Sequence, residues 1–186
     1  MTTPEAMKIN SCNLILRLAV TLLLGLFVQA ASAETLVGRV VLIADGDTIT
    51  VLDAASNQHK IRLMGIDAPE KTQAFGNRSQ SNLGALLSGQ EVAVEWNGRD
   101  RNGLIVGKVL VAPVASACRL RPNCPKSVDA GLEQVRDGMA WWHPQTVNEQ
   151  TPNDRAAYQH AEFDAKIYRR GLWSDTNPTP PWQWPH

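Results

Sequence analysis

Two small acidic turns set among runs of β-forming residues constrain this chain more than any other feature. The first, Asp45-Gly46-Asp47-Thr48, separates the apolar runs 36–44 and 48–52. The second, Asp67-Ala68-Pro69-Glu70, closes the run 60–66, which carries Arg62 near its middle. Val, Ile, Leu and Thr suit extended backbone, and Asp-Gly suits a tight hairpin. Three short strands in series, joined by short turns, form an antiparallel meander of the kind found in small barrels and sandwiches.

The remaining segments add two strands and three helices. Leu83, Leu86 and Leu87 lie on one helical face, with Asn77 as the expected cap, Gln80 at the capping-box position and Gly89 as the stop. Strands are expected over 91–96 and 104–111, joined by the loop Asn97 to Gly103. A short helix is expected from Val128 to Asp137, with Val128, Leu132 and Val135 facing inward and Gly138 after it. Thr151-Pro152-Asn153-Asp154 is a strong helix start, and that helix should run to about Arg170, with basic residues in its last turn and Gly171 beyond. The sum is an α+β, mainly β domain: a five-stranded barrel of the oligonucleotide-binding type with about three α-helices.

The ends read differently from the middle. Lys8 and Arg17 precede the apolar run 18–28, and Ala31-Ser32-Ala33 fits a small-x-small cleavage site, so residues 1–33 are expected to be a secretory signal. That run is short for a membrane span; a retained anchor is the alternative, and Met7 offers a second possible start. The expected organisation is then a signal over 1–33, a domain over 34–176 and a Pro/Trp-rich tail over 177–186, with the product periplasmic or secreted and not stably membrane-associated. The full chain balances 18 basic against 18 acidic side chains; losing Lys8, Arg17 and Glu5 leaves a net charge of about −1. No global basic field advertises a polyanionic partner, so phosphate recognition has to be local. Export would also remove Cys12 and leave Cys118 and Cys124, an even pair in an oxidising compartment and an expected disulfide. A metal site is the rival, but two cysteines with no nearby histidine make a poor zinc set.

An arginine and several carboxylates carried at strand ends suit a cation and an anion together, which is what phosphoryl chemistry requires. Each element alone is weak, since Asp and Gly suit turns for steric reasons and an arginine on a strand is often simply outward-facing. Together, Asp45-Gly46-Asp47-Thr48 and Arg62-Leu63-Met64-Gly65-Ile66-Asp67-Ala68-Pro69-Glu70 resemble the thermonuclease family of staphylococcal-nuclease-like domains. The resemblance continues through Asp100-Arg101-Asn102-Gly103, Val135 to Trp141 and Gly171-Leu172-Trp173-Ser174.

That resemblance implies a Ca²⁺-dependent nuclease, expected to be a monomer, that acts on single-stranded DNA and RNA with little sequence preference and cuts the 5′ P–O bond. Asp47, Asp67 and the backbone carbonyl of Ala68 would hold the ion, a hard cation that takes oxygen ligands. Glu70 would serve as general base and Arg62 would bind phosphate, with Asp45 close to the ion. Trp142 and His143 fall where the family places aromatic side chains against a nucleotide, while Trp141 reads as core. One departure stands out. The family carries a second arginine after the glycine of the Asp-x-x-Gly turn, and here that position is Leu104. Arg99 and Arg101, in the same loop, could reach phosphate from other backbone positions. The alternative function is therefore a weakly active or non-catalytic nucleic-acid-binding barrel. For the tail, docking on the domain or disorder is expected ahead of a partner-binding role.

Overall fold

The structure is a computed structural model that describes residues 34–185. The expected secretory signal, its cleavage site and Cys12 lie outside the described residues. Among those described, no helix is long and apolar enough to cross a membrane.

Five strands close into a mixed barrel. Strand β1 (Glu34–Ile43) lies at the centre, antiparallel to β2 (Thr48–Asp53) on one side and to β5 (Glu91–Arg99) on the other. Strand β3 (Gln58–Leu63) pairs antiparallel with β2, and β6 (Ile105–Val111) pairs antiparallel with β5. Closure comes from a parallel contact between β3 and β6, which sets Ile61 opposite Ile105 and Leu63 opposite Gly107. Alternate residues point inward, and Ile49, Val51, Ile61, Leu63, Val92, Val94 and Ile105 are almost completely withdrawn from solvent. Burying an Ile or Leu side chain of this kind contributes about 2 kcal/mol, so this stripe is the main anchor for the acidic turns at its rim.

Among the described residues, three α-helices cover the barrel. Helix α1 (Gly76–Leu87) buries Ser79, Leu83 and Leu87. Its start differs from the expected cap at Asn77: the residue before it, Phe75, takes a left-handed conformation (φ 69°) and makes no side-chain cap. Gln80 does not close a capping box but donates to the carbonyls of Ile43 and Ala44, at the end of β1. Helix α2 (Ala130–Arg136) is shorter than expected because Val128–Asp129 pairs with β6 as strand β7, and Asp129 caps the helix by accepting from Gly131 and Leu132. Helix α3 (Pro152–Ile167) starts as the sequence indicates, with Thr151 accepting from the Asp154 N–H, and it ends three residues short of Arg170. A second small sheet joins β4 (Ile66–Asp67) to β8 (Trp141–Trp142). A disulfide links Cys118 to Cys124 in the proline-bearing segment after β6.

The segment beyond Asn177 packs on the domain. Gln73 donates to the Thr179 carbonyl, Pro181 is buried, and Trp184 lines a small cavity with Phe75, Trp141 and Leu172.

Candidate active site

The acidic turn between β1 and β2 is held from several sides. Asp45 Oδ1 accepts from the N–H groups of Asp47 (3.0 Å) and Thr48 (2.8 Å), closing the turn on itself. From α2, the buried Gln134 donates to the Gly46 carbonyl at 2.7 Å. Gly46 allows α1 to pack against the turn, since a Cβ there would lie 1.9 Å from Ser79 Oγ. The turn is thereby fixed to two helices as well as to its own hairpin.

Asp47 looks across to the second turn. Its Oδ2 accepts from the Ala68 N–H at 2.8 Å, and its Oδ1 accepts from the Thr48 hydroxyl at 2.8 Å. Burial pushes the Asp47 carboxyl up to about 8, the neighbouring Asp45 and Asp67 charges add to this, and the two hydrogen bonds oppose it. Asp67, on β4, lines the same open cleft of about 430 Å³. Among the described residues, no three His, Cys, Asp or Glu side chains form a group able to hold a metal ion alone. The donors that do meet here are hard oxygens, of the kind that suits a cation completing its shell with backbone oxygen, water and substrate. Asp47 and Asp67 fit such an ion.

Arg62 reaches the cleft because the β2–β3 register sets it opposite Thr48, one residue from Asp47. Its Nη2 donates to Glu149 Oε1 at 2.6 Å, and its Nε lies 3.7 Å from Asp100 Oδ2. Glu149 Oε2 also accepts from the Gly65 N–H at 3.2 Å. Gly65 has φ +74°, and a Cβ there would meet the Gln150 side chain at 2.3 Å, so this turn requires glycine. Glu149 ends the 3₁₀ segment Pro144–Glu149, where no periodic pattern marks it, and sequence reasoning did not single it out. Nor did it assign Asp100 a role beyond its place in a motif.

Loop 100–104 is braced by Asp100, whose Oδ1 accepts from Asn102 and Leu104. Arg101 lines the cleft with Asp47, Arg62 and Asp67. Arg99 turns back on its own loop, donating to the Gly103 carbonyl at 2.8 Å and stacking over Trp96. Leu104 is half-buried and is not among the residues lining the cleft. Lys108 faces elsewhere, bonded to Asp154 at 2.6 Å and 3.8 Å from Asp129.

The remaining expected residues divide. Glu70 is exposed just after the second turn; its N–H donates to Gln73 Oε1, and it does not line the cleft. Trp142 gives its indole N–H to Gln150 Oε1 at 2.9 Å and is also absent from the cleft wall. His143 does line the cleft. Burial and the Arg62 charge hold its imidazole below the usual range, against an opposing pull from Glu149. Trp141 is buried, with its ring edge-on to Trp173.

The closed five-stranded barrel gathers carboxylates and an arginine at one rim, an arrangement able to take a cation and an anion together. Comparison with known proteins makes this specific. The family described as staphylococcal nuclease homologue matches residues 60–175. The chain is 34% identical over 171 residues to an uncharacterized endonuclease of Escherichia coli, covering 92% of this chain and 99% of that one. It is 38% identical over 147 residues to a micrococcal nuclease of Shigella flexneri, covering 79% of each. It is also 37% identical over 172 residues to the Escherichia coli protein ParB, covering 91% of this chain and 89% of that one. The chain belongs to the staphylococcal nuclease family, and its enzymatic class is that of a nuclease.

Proposed function

We propose that this protein is a Ca²⁺-dependent nuclease that hydrolyses single-stranded DNA and RNA with little sequence preference. The charge balance of the cleft carries the reading. Its wall sets Asp67 and Asp100, with the buried Asp47 that a bound cation would hold ionised, against the guanidinium groups of Arg62 and Arg101, and Arg62 is already engaged by Glu149. An anionic phosphodiester entering such a cleft needs a cation to offset the acidic wall.

Asp47, Asp67 and the Ala68 backbone carbonyl would hold that cation. When bound, Ca²⁺ supplies Lewis-acid polarisation of a phosphate oxygen. Arg62 donates to a non-bridging oxygen and offsets charge as phosphorus gains its fifth ligand. The attacking water gives up a proton as the new P–O bond forms; Glu70, exposed beside the turn and outside the cleft wall, is named as its acceptor on the family resemblance alone. The bond to the 5′ oxygen breaks, and that oxygen takes a proton from solvent. Arg101 adds positive charge at the cleft wall. Asp45 acts by holding the turn, since its Oδ1 is occupied by two backbone N–H groups.

Incubating the protein with single-stranded DNA, in Ca²⁺ or in chelator, tests the reading. Cleavage that chelator abolishes is expected; no chelator-sensitive cleavage at high enzyme concentration would sink it.

Leu104 favours a second reading, a nucleic-acid-binding barrel with little turnover, because that side chain cannot hydrogen-bond a phosphate. Leu104→Arg separates the two. A rise of about 10²-fold or more from near zero marks a barrel that lacks its clamp, whereas little change in an already active enzyme shows that another group has taken over. Export is proposed on the sequence of residues 1–33 alone, and identifying the N-terminal residue of the product made in a bacterial host tests it.

A further inference from the structure

We propose that Trp182, carried on the tail, forms an outer base-stacking subsite of the cleft, an inference that rests on the nuclease reading. Residues 177–185 lie beyond the segment matched by the family, so this surface is additional to what the match covers. The Trp182 ring lies 4.8 Å from that of His143, tilted by 43°, and His143 lines the cleft. Behind it stands the buried Trp141, edge-on at 6.5 Å and itself packed edge-on against Trp173 at 5.5 Å. Trp182 nevertheless remains 39% exposed.

The tail is seated on both sides of this ring. The Thr179 carbonyl accepts from Gln73, Pro181 is buried, and Trp184 lines the small cavity beside Phe75 and Leu172. An indole backed by a buried aromatic and held by anchored neighbours loses little freedom when a ligand lands on it. His143 bridges the two regions, since the Arg62 charge already acts on its ring. A phosphate held at Arg62 therefore brings the bases of neighbouring nucleotides toward His143 and, beyond it, Trp182. Every base has a π-face, so such a platform strengthens binding without adding sequence preference.

The test compares the full chain with Trp182→Leu and Trp182→Phe on two substrates, a short single-stranded DNA and the same backbone lacking its bases. Trp182→Leu is expected to raise KM about tenfold on the base-bearing strand, with kcat changed less than about twofold. On the abasic strand the variant and the wild type should match, and Trp182→Phe should recover most of the loss. A KM rise of equal size on both strands would overturn the proposal, as would no rise at all. A gain in kcat on removing the ring would show a blocking tail instead and also overturn it. Trp182→Met serves the same comparison should the leucine variant melt early. Anisotropy binding to the two strands, with metal present and cleavage prevented by a phosphorothioate backbone, reads the same difference without turnover. A wild type that binds but never cuts intact DNA sinks only the nuclease reading; equal binding of both strands by the wild type sinks the stacking subsite.

Discussion

At the residue scale, Arg101 and Arg99 separate two roles that their spacing alone leaves open. Arg101 faces the cleft, while Arg99 is spent on the Gly103 carbonyl and the Trp96 ring. Arg101→Ala is expected to lower kcat/KM by about tenfold to a hundredfold, at or below the roughly 10²- to 10³-fold cost of losing a donor aimed directly at a charged transition state. Arg99→Ala should change it less than about threefold, and steady-state kinetics on single-stranded DNA measures both. Much of the acidic half was legible, because Asp45, Asp47 and Asp67 sit in short turns whose shape is set by local sequence. Glu149 was not legible, since the bond to Arg62 spans 87 positions and depends on how two distant segments fold back. For Trp142 the aromatic identity was visible, but not that its indole N–H would donate to Gln150 Oε1.

Elements show the same division between local and remote causes. The start of α3 was readable because Thr151, Pro152 and Asp154 all act within one turn. The start of α2 was not, because pairing of Val128–Asp129 with β6 overrides a helical pattern that would otherwise begin two residues earlier. Asp129 then serves α2 and α3 together, accepting from Tyr158 at 2.9 and 3.0 Å while it caps its own helix. Tyr158→Phe leaves this buried carboxylate short of a donor and should cost about 2 kcal/mol, measured by urea denaturation. Asp154 gives a pH dependence. Burial pushes its carboxyl up, but hydrogen bonds from Lys108 and Thr151 outweigh this and hold it below its ordinary value. Its contribution is therefore complete above the unfolded-chain value of about 4 and is lost as pH falls through the lower folded value. Melting temperature should fall less steeply on acidification below about pH 4 in Asp154→Asn than in the parent, as calorimetry across that range would show.

For the whole molecule, near-neutral charge limits how strongly a nucleic acid can be drawn in from a distance. With 18 basic and 18 acidic side chains in the full sequence, electrostatic attraction has to come from Arg62 and Arg101 at the cleft. The logarithm of binding affinity for single-stranded DNA should fall against the logarithm of salt with a slope of about −0.7 to −1.4, the release expected for one or two phosphate contacts. A slope several times steeper would show a broader basic track. The barrel was legible as a whole because alternating apolar runs report burial directly; its parallel closure between β3 and β6 was not, since nothing local marks that pairing. The long reach from Arg62 to Glu149 also sets an order of events. A nascent chain that stops short of residue 149 already contains both acidic turns, Arg62 and Arg101, yet it lacks the carboxylate that orients the arginine. Competence is therefore a late acquisition, and truncated translation products carrying nearly every chemically distinctive residue should be harmless to the nucleic acids around them.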